Sequence, residues 1–284
     1  MTLADLEGMV IGPEPLLVSG DRVATYVEVT GDQPDRWGEF APPGMAGAAL
    51  FAVAPRLLSH PAVMAEGGAA VHGEQVFCWK APLRAQDTWS VGGEVSRVRH
   101  RRGVWFVDFA VTVEDSDGGI MVEGRSSFLI AGGQPPARGT AVETEPAALH
   151  RAANQPAAGA GLPGVGGDIP ILAKSASRAD LIRYGAVTRD WNPIHWDHQS
   201  AVGAGFSGVV VHGLACAAWI CQGVTRLLGG PSPLGKARFR FRQPLRPGVP
   251  AHVEGRRTGE TRFAMRLVSE GNALITASVD TAAV

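Results

Sequence analysis

The stretch Arg189-Asp190-Trp191-Asn192-Pro193-Ile194-His195 sets a carboxylate and an imidazole five residues apart around an Asn-Pro pair. Two such groups converging on one water make an acid–base pair, one withdrawing a proton while the other supplies one. Proline lacks an N–H and disfavours the αR conformation in its predecessor, so Asn192-Pro193 cannot continue a helix. A turn is therefore predicted that aims Asp190 and His195 at a common point, with Asn192 hydrogen-bonding inside it to fix its shape. Further on, three valines (Val209, Val210 and Val211) run into His212-Gly213 and then a long apolar stretch. This places Gly213 at a helix N-terminus, where a backbone N–H with no side chain in the way can donate to a developing oxyanion.

The same residues admit other chemistry. His195, Asp197, His198 and His212 are ligand types for zinc or iron. Against a metal, His195 and His198 flank Asp197 without the i, i+4 helical spacing of common zinc motifs, so no metal is expected. Ser207 in Gly-Phe-Ser-Gly-Val lacks the G-x-S-x-G frame of a nucleophile elbow. Cys216 and Cys221 fall inside the apolar stretch, where desolvation raises a thiol's pKa and keeps it inert.

What positions these residues is written twice. Tyr26, Val29, Thr30 and Asp32 match Tyr184, Val187, Thr188 and Asp190 at one constant offset. Gly-Met-Ala-Gly-Ala-Ala-Leu from Gly44 resembles Gly-Leu-Ala-Cys-Ala-Ala-Trp from Gly213, and each opens an apolar run closing in Arg-Leu-Leu. Phe77 to Arg84 lines up with Phe239 to Arg246, ending in Pro-Leu-Arg both times. Three matches in the same order indicate a diverged duplication. The copies are bounded at about 1–131 and 169–284. The Gly/Pro/Ala-rich segment 132–168 between them reads as a linker with little structure of its own. Each copy is predicted as a short Tyr-to-Asp segment, a buried helix, then alternating strands with hairpin turns at Asp-Ser-Asp-Gly-Gly and Ser-Glu-Gly-Asn. The fold class is α+β, sheets wrapping helices, with the edges of the two copies paired.

The whole chain bounds the function classes. Of 284 residues 45% are apolar and 19% charged, the balance of a soluble globular protein, and the net charge of −1 offers no bulk attraction to nucleic acid or an anionic membrane. Arg97, Arg99, His100, Arg101 and Arg102 read either as a solvated hairpin end or as a phosphate-binding patch. No apolar run reaches the ~18–20 residues of a membrane span, and the start lacks a signal-peptide pattern. Three cysteines outside any C-x-x-C arrangement fit free thiols in a reducing cytoplasm.

Taken together, Y-x-x-V-T-x-D-x-N-P-I-H-x-D from Tyr184 and G-F-x-G-V-V-V-H-G-L from Gly205 resemble the signature of the MaoC-like (R)-specific enoyl-CoA hydratases and 3-hydroxyacyl-thioester dehydratases. The first copy resembles the degenerate partner domain of the double hot-dog members. The resemblance implies two hot-dog domains in one chain, each an antiparallel sheet around a central helix. It also implies reversible syn hydration of a trans-2-enoyl thioester to an (R)-3-hydroxyacyl thioester. Asp190 and His195 are then the catalytic pair, and Gly213 is the amide that binds the thioester carbonyl. Asn192, Tyr184, Phe206 and His212 are supporting or substrate-binding motif residues. The substrate is an acyl-CoA or acyl-carrier-protein thioester, no cofactor is needed beyond that coenzyme A or phosphopantetheine, and a homodimer of double hot-dog chains is an expected assembly. One departure is Arg189, where the family usually has Gly and the first copy keeps Gly31. It either narrows the site or reaches towards a carrier phosphate.

Asp32 to Gly44 spans 12 positions and Asp190 to Gly213 spans 23, so the first copy lacks 11 residues of the stretch that supplies His195 and His212. It keeps Trp37 where the second copy has His195. The first copy is therefore expected not to catalyse but to accommodate the acyl chain. Its Ala- and Gly-rich helix fits either a tunnel or tight packing. A non-catalytic thioester-binding module is the alternative reading for the whole chain.

Overall fold

The computed structural model describes residues 2–66, 70–131, 161–231 and 234–282. Most of the predicted linker, up to residue 160, lies outside the described residues. The first half runs β1 (Val10–Val18), α1 (Gly20–Thr30), α2 (Ala46–Leu58), α3 (Pro61–Met64), β2 (Ala70–Trp79), β3 (Asp87–Arg101), β4 (Val104–Glu114) and β5 (Ile120–Ala131). The second runs β6 (Leu172–Lys174), α4 (Arg178–Thr188), α5 (His198–Gly203), α6 (Gly213–Thr225), β7 (Leu234–Phe241), β8 (Ala251–Arg257), β9 (Arg262–Ser269) and β10 (Asn272–Thr281).

All ten strands form one sheet in the order β1-β3-β4-β5-β2-β7-β10-β9-β8-β6. Read outward from the middle, the two halves have the same order. The join is β2 against β7, antiparallel, with Gln75 opposite Phe239 and Phe77 opposite Ala237. These are the very segments that align between the copies in sequence. Glu74 on β2 reaches Arg238 and Arg240 on β7 and Arg125 on β5, a partly exposed network across the join. Exposed ion pairs contribute under about 1 kcal/mol each, so the join rests mainly on its backbone ladder and the core beneath. Both outer edges are blunted. β1 carries Pro13 and Pro15, and β6 is three residues long.

The hairpin turns fall where glycine and left-handed backbone allow them. Arg102 and Gly103 both have positive φ between β3 and β4, as do Glu270 and Gly271 between β9 and β10, the requirement of a two-residue type I′ turn. The basic run Arg97–Arg102 is thus the exposed end of a hairpin.

Helices α2 and α6 lie inside the sheet's curve; α6 is buried at every residue from Leu214 to Thr225. Two hot-dog units side by side account for this architecture. The composition of α2 serves close packing. Ala46, Ala48 and Ala49 have no exposure, and a Cβ on Gly47 would meet the Leu214 side chain at 3.1 Å.

The Tyr-to-Asp segments differ from expectation: each is itself an eleven-residue helix, α1 or α4. In α4 the apolar residues cluster too weakly for periodicity to reveal it, and in both helices the caps mark the start. Ser19 accepts from the Arg22 amide, and Ser177 with Asp180 forms a capping box. The two helices end alike, at Gly31 (φ 60°) and Arg189 (φ 63°), both in the left-handed region.

Candidate active site

That left-handed residue turns the chain out of α4 and delivers Asp190 to the interior, 3% exposed. Glycine suits the position because it has no Cβ to clash. Arginine there is strained, and its exposed side chain does not pack into the centre. Arg189 also adds to the unfavourable surroundings of the half-buried Arg22 guanidinium, whose Nε–H donates to the Val187 carbonyl at 2.6 Å. Arg189→Gly is accordingly expected to stabilise the fold by about 1 kcal/mol, read as a higher urea midpoint with an unchanged slope. A lower midpoint would mean that the arginine makes a compensating contact.

After Asp190 the chain makes the predicted turn as a short 3-10 helix, Pro193–His195, with Pro193 at its first position. Asn192 caps it, its side-chain oxygen accepting from the Ile194 amide at 3.4 Å, while its own amide donates to Asp190 Oδ1 at 3.5 Å. One residue thus shapes the turn and holds the carboxyl. His195, 7% exposed, donates Nδ1–H to the Val210 carbonyl at 2.8 Å. That bond assigns the tautomer and leaves the Nε2 lone pair facing Asp190 Oδ2, 3.9 Å away. The gap is too long for a direct hydrogen bond and short enough for one water to touch both groups.

Burial sets their charges. It pushes the Asp190 carboxyl up to about 7, with the Asn192 amide pulling the other way. It pushes the His195 imidazole down to about 4, against the Val210 bond. Between these values the pair is a carboxylic acid beside a neutral imidazole.

His212 touches both. Its Nε2–H donates to the Asp190 backbone carbonyl at 3.2 Å, and its ring stacks on His195 with centroids 3.8 Å apart and planes inclined by 24°. Burial and the neighbouring His195 hold it neutral. The Tyr184 ring lies on His212 at 4.7 Å, and Tyr26 of the first half lies on Tyr184 at 5.8 Å. Four rings therefore run from the pair across the join. The next residue, Gly213, opens α6, where the first amides have no carbonyl of their own helix to bond. A Cβ on it would meet the Phe241 ring at 3.1 Å, so the position is walled by an aromatic edge.

Asp190, His195 and His212 bring potential ligand atoms within 4.8 Å of one another. One nitrogen of each imidazole already donates to a backbone carbonyl, His195 Nδ1 to Val210 and His212 Nε2 to Asp190, and the two rings turn their faces to each other. Asp197, another ligand candidate, instead caps α5 by accepting from the Ser200 amide at 2.7 Å. Phe206 is half-buried at the turn after α5, and among the described residues no ring contact joins it to the pair. Sequence reasoning did not find Val210, whose role is a backbone carbonyl, or Tyr26, whose role depends on how the halves pack. The constant offset that pairs Tyr26 with Tyr184 was the available signal.

The first half shows the same place without the histidine. Asp32 is buried, and both its oxygens are engaged, one by the Gln33 amide at 2.9 Å and one by the Trp37 indole N–H at 3.1 Å. Gly44 is closed off, since a Cβ there would meet Tyr26 Oη at 2.6 Å and Ala218 Cβ at 2.8 Å.

Comparison with known proteins agrees on the fold, and a family model matches part of the chain. Residues 167–278 match the MaoC-like domain. A curated relative, the mitochondrial 3-hydroxyacyl-[acyl-carrier-protein] dehydratase of Arabidopsis thaliana, is 42% identical over 48 residues, 17% of this chain and 29% of that protein. The chain thus matches less than a third of that relative's length. Among solved structures, a MaoC-like dehydratase covers 99% of both chains with a TM-score of 0.80 and 20% identity. The peroxisomal multifunctional enzyme type 2 of Drosophila melanogaster gives 0.71 and 21%, over 96% of this chain and 48% of that one. A Mycobacterium tuberculosis protein with a double hot-dog fold gives 0.67 and 15%, over 97% and 96%.

Proposed function

We propose, from the match of residues 167–278 to the MaoC-like domain, that the protein is a hydro-lyase that interconverts a trans-2-enoyl thioester and its (R)-3-hydroxyacyl thioester. The observation that carries this is the Asp190–His195 pair, 3.9 Å apart, with the imidazole lone pair fixed towards the carboxyl.

Water sits between the two groups. The thioester carbonyl accepts from the Gly213 N–H, which withdraws charge from the double bond and holds the enolate as it forms. Water adds its oxygen to C3 and gives a proton to His195 Nε2, while the Asp190 carboxyl gives its proton to C2. The product gains one water, and a following proton transfer from imidazolium to carboxylate restores the pair. Both groups lie on one side of the substrate, so addition is syn. Asn192 and His212 hold the pair rather than exchange protons. The acyl chain runs towards the first half, past the tilted, contacting rings of Phe241, His72 and Phe128, where burial keeps His72 neutral. This chain's own residues supply every proton, and the substrate brings its coenzyme A or phosphopantetheine.

Crotonyl-CoA is the direct test. The conjugated absorbance should decay with enzyme, and chiral chromatography of the product should give the (R)-alcohol. Binding of the thioester without hydration, across short and long acyl chains, would make the protein a binding module instead.

A further inference from the structure

Tyr26 and Tyr184 stand at equivalent places, each six residues before the aspartate of its own half. Only the second half has imidazoles to support, since Trp37 stands where His195 would be and the first half lacks the stretch that supplies His212. Tyr26 nevertheless reaches across the join. Its ring centroid lies 5.8 Å from that of Tyr184, with the planes inclined by 41°. Tyr184 in turn lies 4.7 Å from His212, and His212 stacks on His195 at 3.8 Å. Ring pairs attract at centroid separations up to about 7 Å, so each contact biases the plane of the next ring. From Tyr26 to His195 the side chains are 0%, 3%, 1% and 7% exposed, which leaves water little access to any of them.

The imidazoles have few other anchors. His195 donates through Nδ1 to the Val210 carbonyl, and His212 through Nε2 to the Asp190 carbonyl. One bond at one nitrogen holds a ring at a point and leaves its plane to be set by the faces packed against it. For His195 that face belongs to His212, and for His212 it belongs to His195 and Tyr184. Tyr184 leans on Tyr26, the one ring of the first half in contact with it among the described residues. The fold makes room for that contact. A Cβ on Gly44 would come within 2.6 Å of Tyr26 Oη, so glycine there lets the phenol keep its place.

We propose that Tyr26 is a positioning residue for the catalytic pair, holding the His195 ring at its working distance from Asp190 through Tyr184 and His212. What the pair does is taken from the hydro-lyase reading, on which this inference rests; the ring contacts themselves do not depend on it. Loss of the Tyr26 ring gives Tyr184 and His212 room to tilt. His195 then swings about its Val210 bond, the 3.9 Å gap to Asp190 changes, and water enters beside the imidazole. A displacement of about 1 Å can cost a hundredfold in rate, so partial loosening is expected to cost about tenfold. The titratable groups facing the His195 ring among the described residues are Asp190 and His212, both held neutral by burial in mildly acid solution. Hydration of the ring is therefore what would move its titration.

The test pairs an NMR titration of the His195 ring with crotonyl-CoA kinetics, on the full chain and its Tyr26→Leu, Tyr26→Phe and Phe109→Leu variants. Phe109 is a first-half ring with no exposure and no part in these contacts, so its variant controls for lost stability. His195 should titrate near 4 in the parent and about one pH unit higher in Tyr26→Leu, whose kcat should fall about tenfold with KM within about twofold. Tyr26→Phe keeps the ring and should match the parent in both measurements. Phe109→Leu should leave the titration in place, since an unfolded fraction scales the rate without changing the folded protein's pKa. A titration or a kcat unmoved in Tyr26→Leu, or a titration moved as far in Phe109→Leu, would overturn the proposal. Should the parent not hydrate crotonyl-CoA, the hydro-lyase reading fails, and the titration alone decides whether Tyr26 holds the ring.

Discussion

Asp190→Asn should lower crotonyl-CoA hydration about 10²–10⁴-fold and, at pH 8, make the protein harder to unfold. The loss of rate follows from removing the proton that reaches C2. The gain in stability follows from the same burial that tunes the group. Its folded pKa, about 7, stands above the ordinary value of 3.8. A carboxyl raised in this way favours the folded state fully below its unfolded pKa, and that contribution is lost as pH rises through the folded pKa. At pH 8 the buried carboxylate therefore costs on the order of 4 kcal/mol relative to acid conditions. Asparagine removes the charge while keeping the shape, so a rise in Tm of roughly 5–10 °C is expected at pH 8, fading towards pH 4. Thermal scans of parent and variant at pH 5 and pH 8 measure it. A variant less stable than the parent at pH 8 would show that the carboxylate is solvated or paired, and the proton donor would have to be sought elsewhere.

The pH dependence of kcat/KM is expected to form a plateau between about 4 and 7. Above 7 the Asp190 carboxyl loses the proton it must donate, so the rate approaches a tenfold fall per pH unit, about fiftyfold between pH 7 and 9. Below 4 the His195 imidazole becomes protonated and cannot accept from water. The imidazole's stability term has the opposite sense: its folded pKa is depressed below 6.5, so its contribution is present above that value and lost as pH falls through about 4. The two groups interact across 3.9 Å, so the limbs belong to the pair rather than to one residue each. The residual activity of Asp190→Asn should keep the acid limb and lose the alkaline one. An alkaline limb that survives in the variant would move the titrating donor to another group.

Much of this was legible in the sequence because side chains and backbone-restricting residues carried it. Asn192-Pro193 announced the turn, and the run into His212-Gly213 announced a helix start. Three matched segments announced two copies with one strand order. What stayed hidden depends on backbone atoms and packing. The Val210 carbonyl that fixes the His195 tautomer has no side-chain signature. Helix α4 is set by its capping box and a left-handed residue, not by apolar periodicity. The metal reading also turns on backbone atoms: only the structure shows that one ring nitrogen of each of His195 and His212 is already spent on a carbonyl.

The ring contacts from Tyr26 to His195 tie the second half's histidines to the packing of the first half. A fragment holding only the second half would keep Asp190, His195 and His212, yet it would lose the outermost ring and leave the β2-facing edge of β7 unpaired. Two such fragments could re-form a symmetric pair through that strand, each lending the other its tyrosine and carrying a working centre apiece. In the fused chain Trp37 stands where the second half has His195, so the two halves no longer have to stay alike.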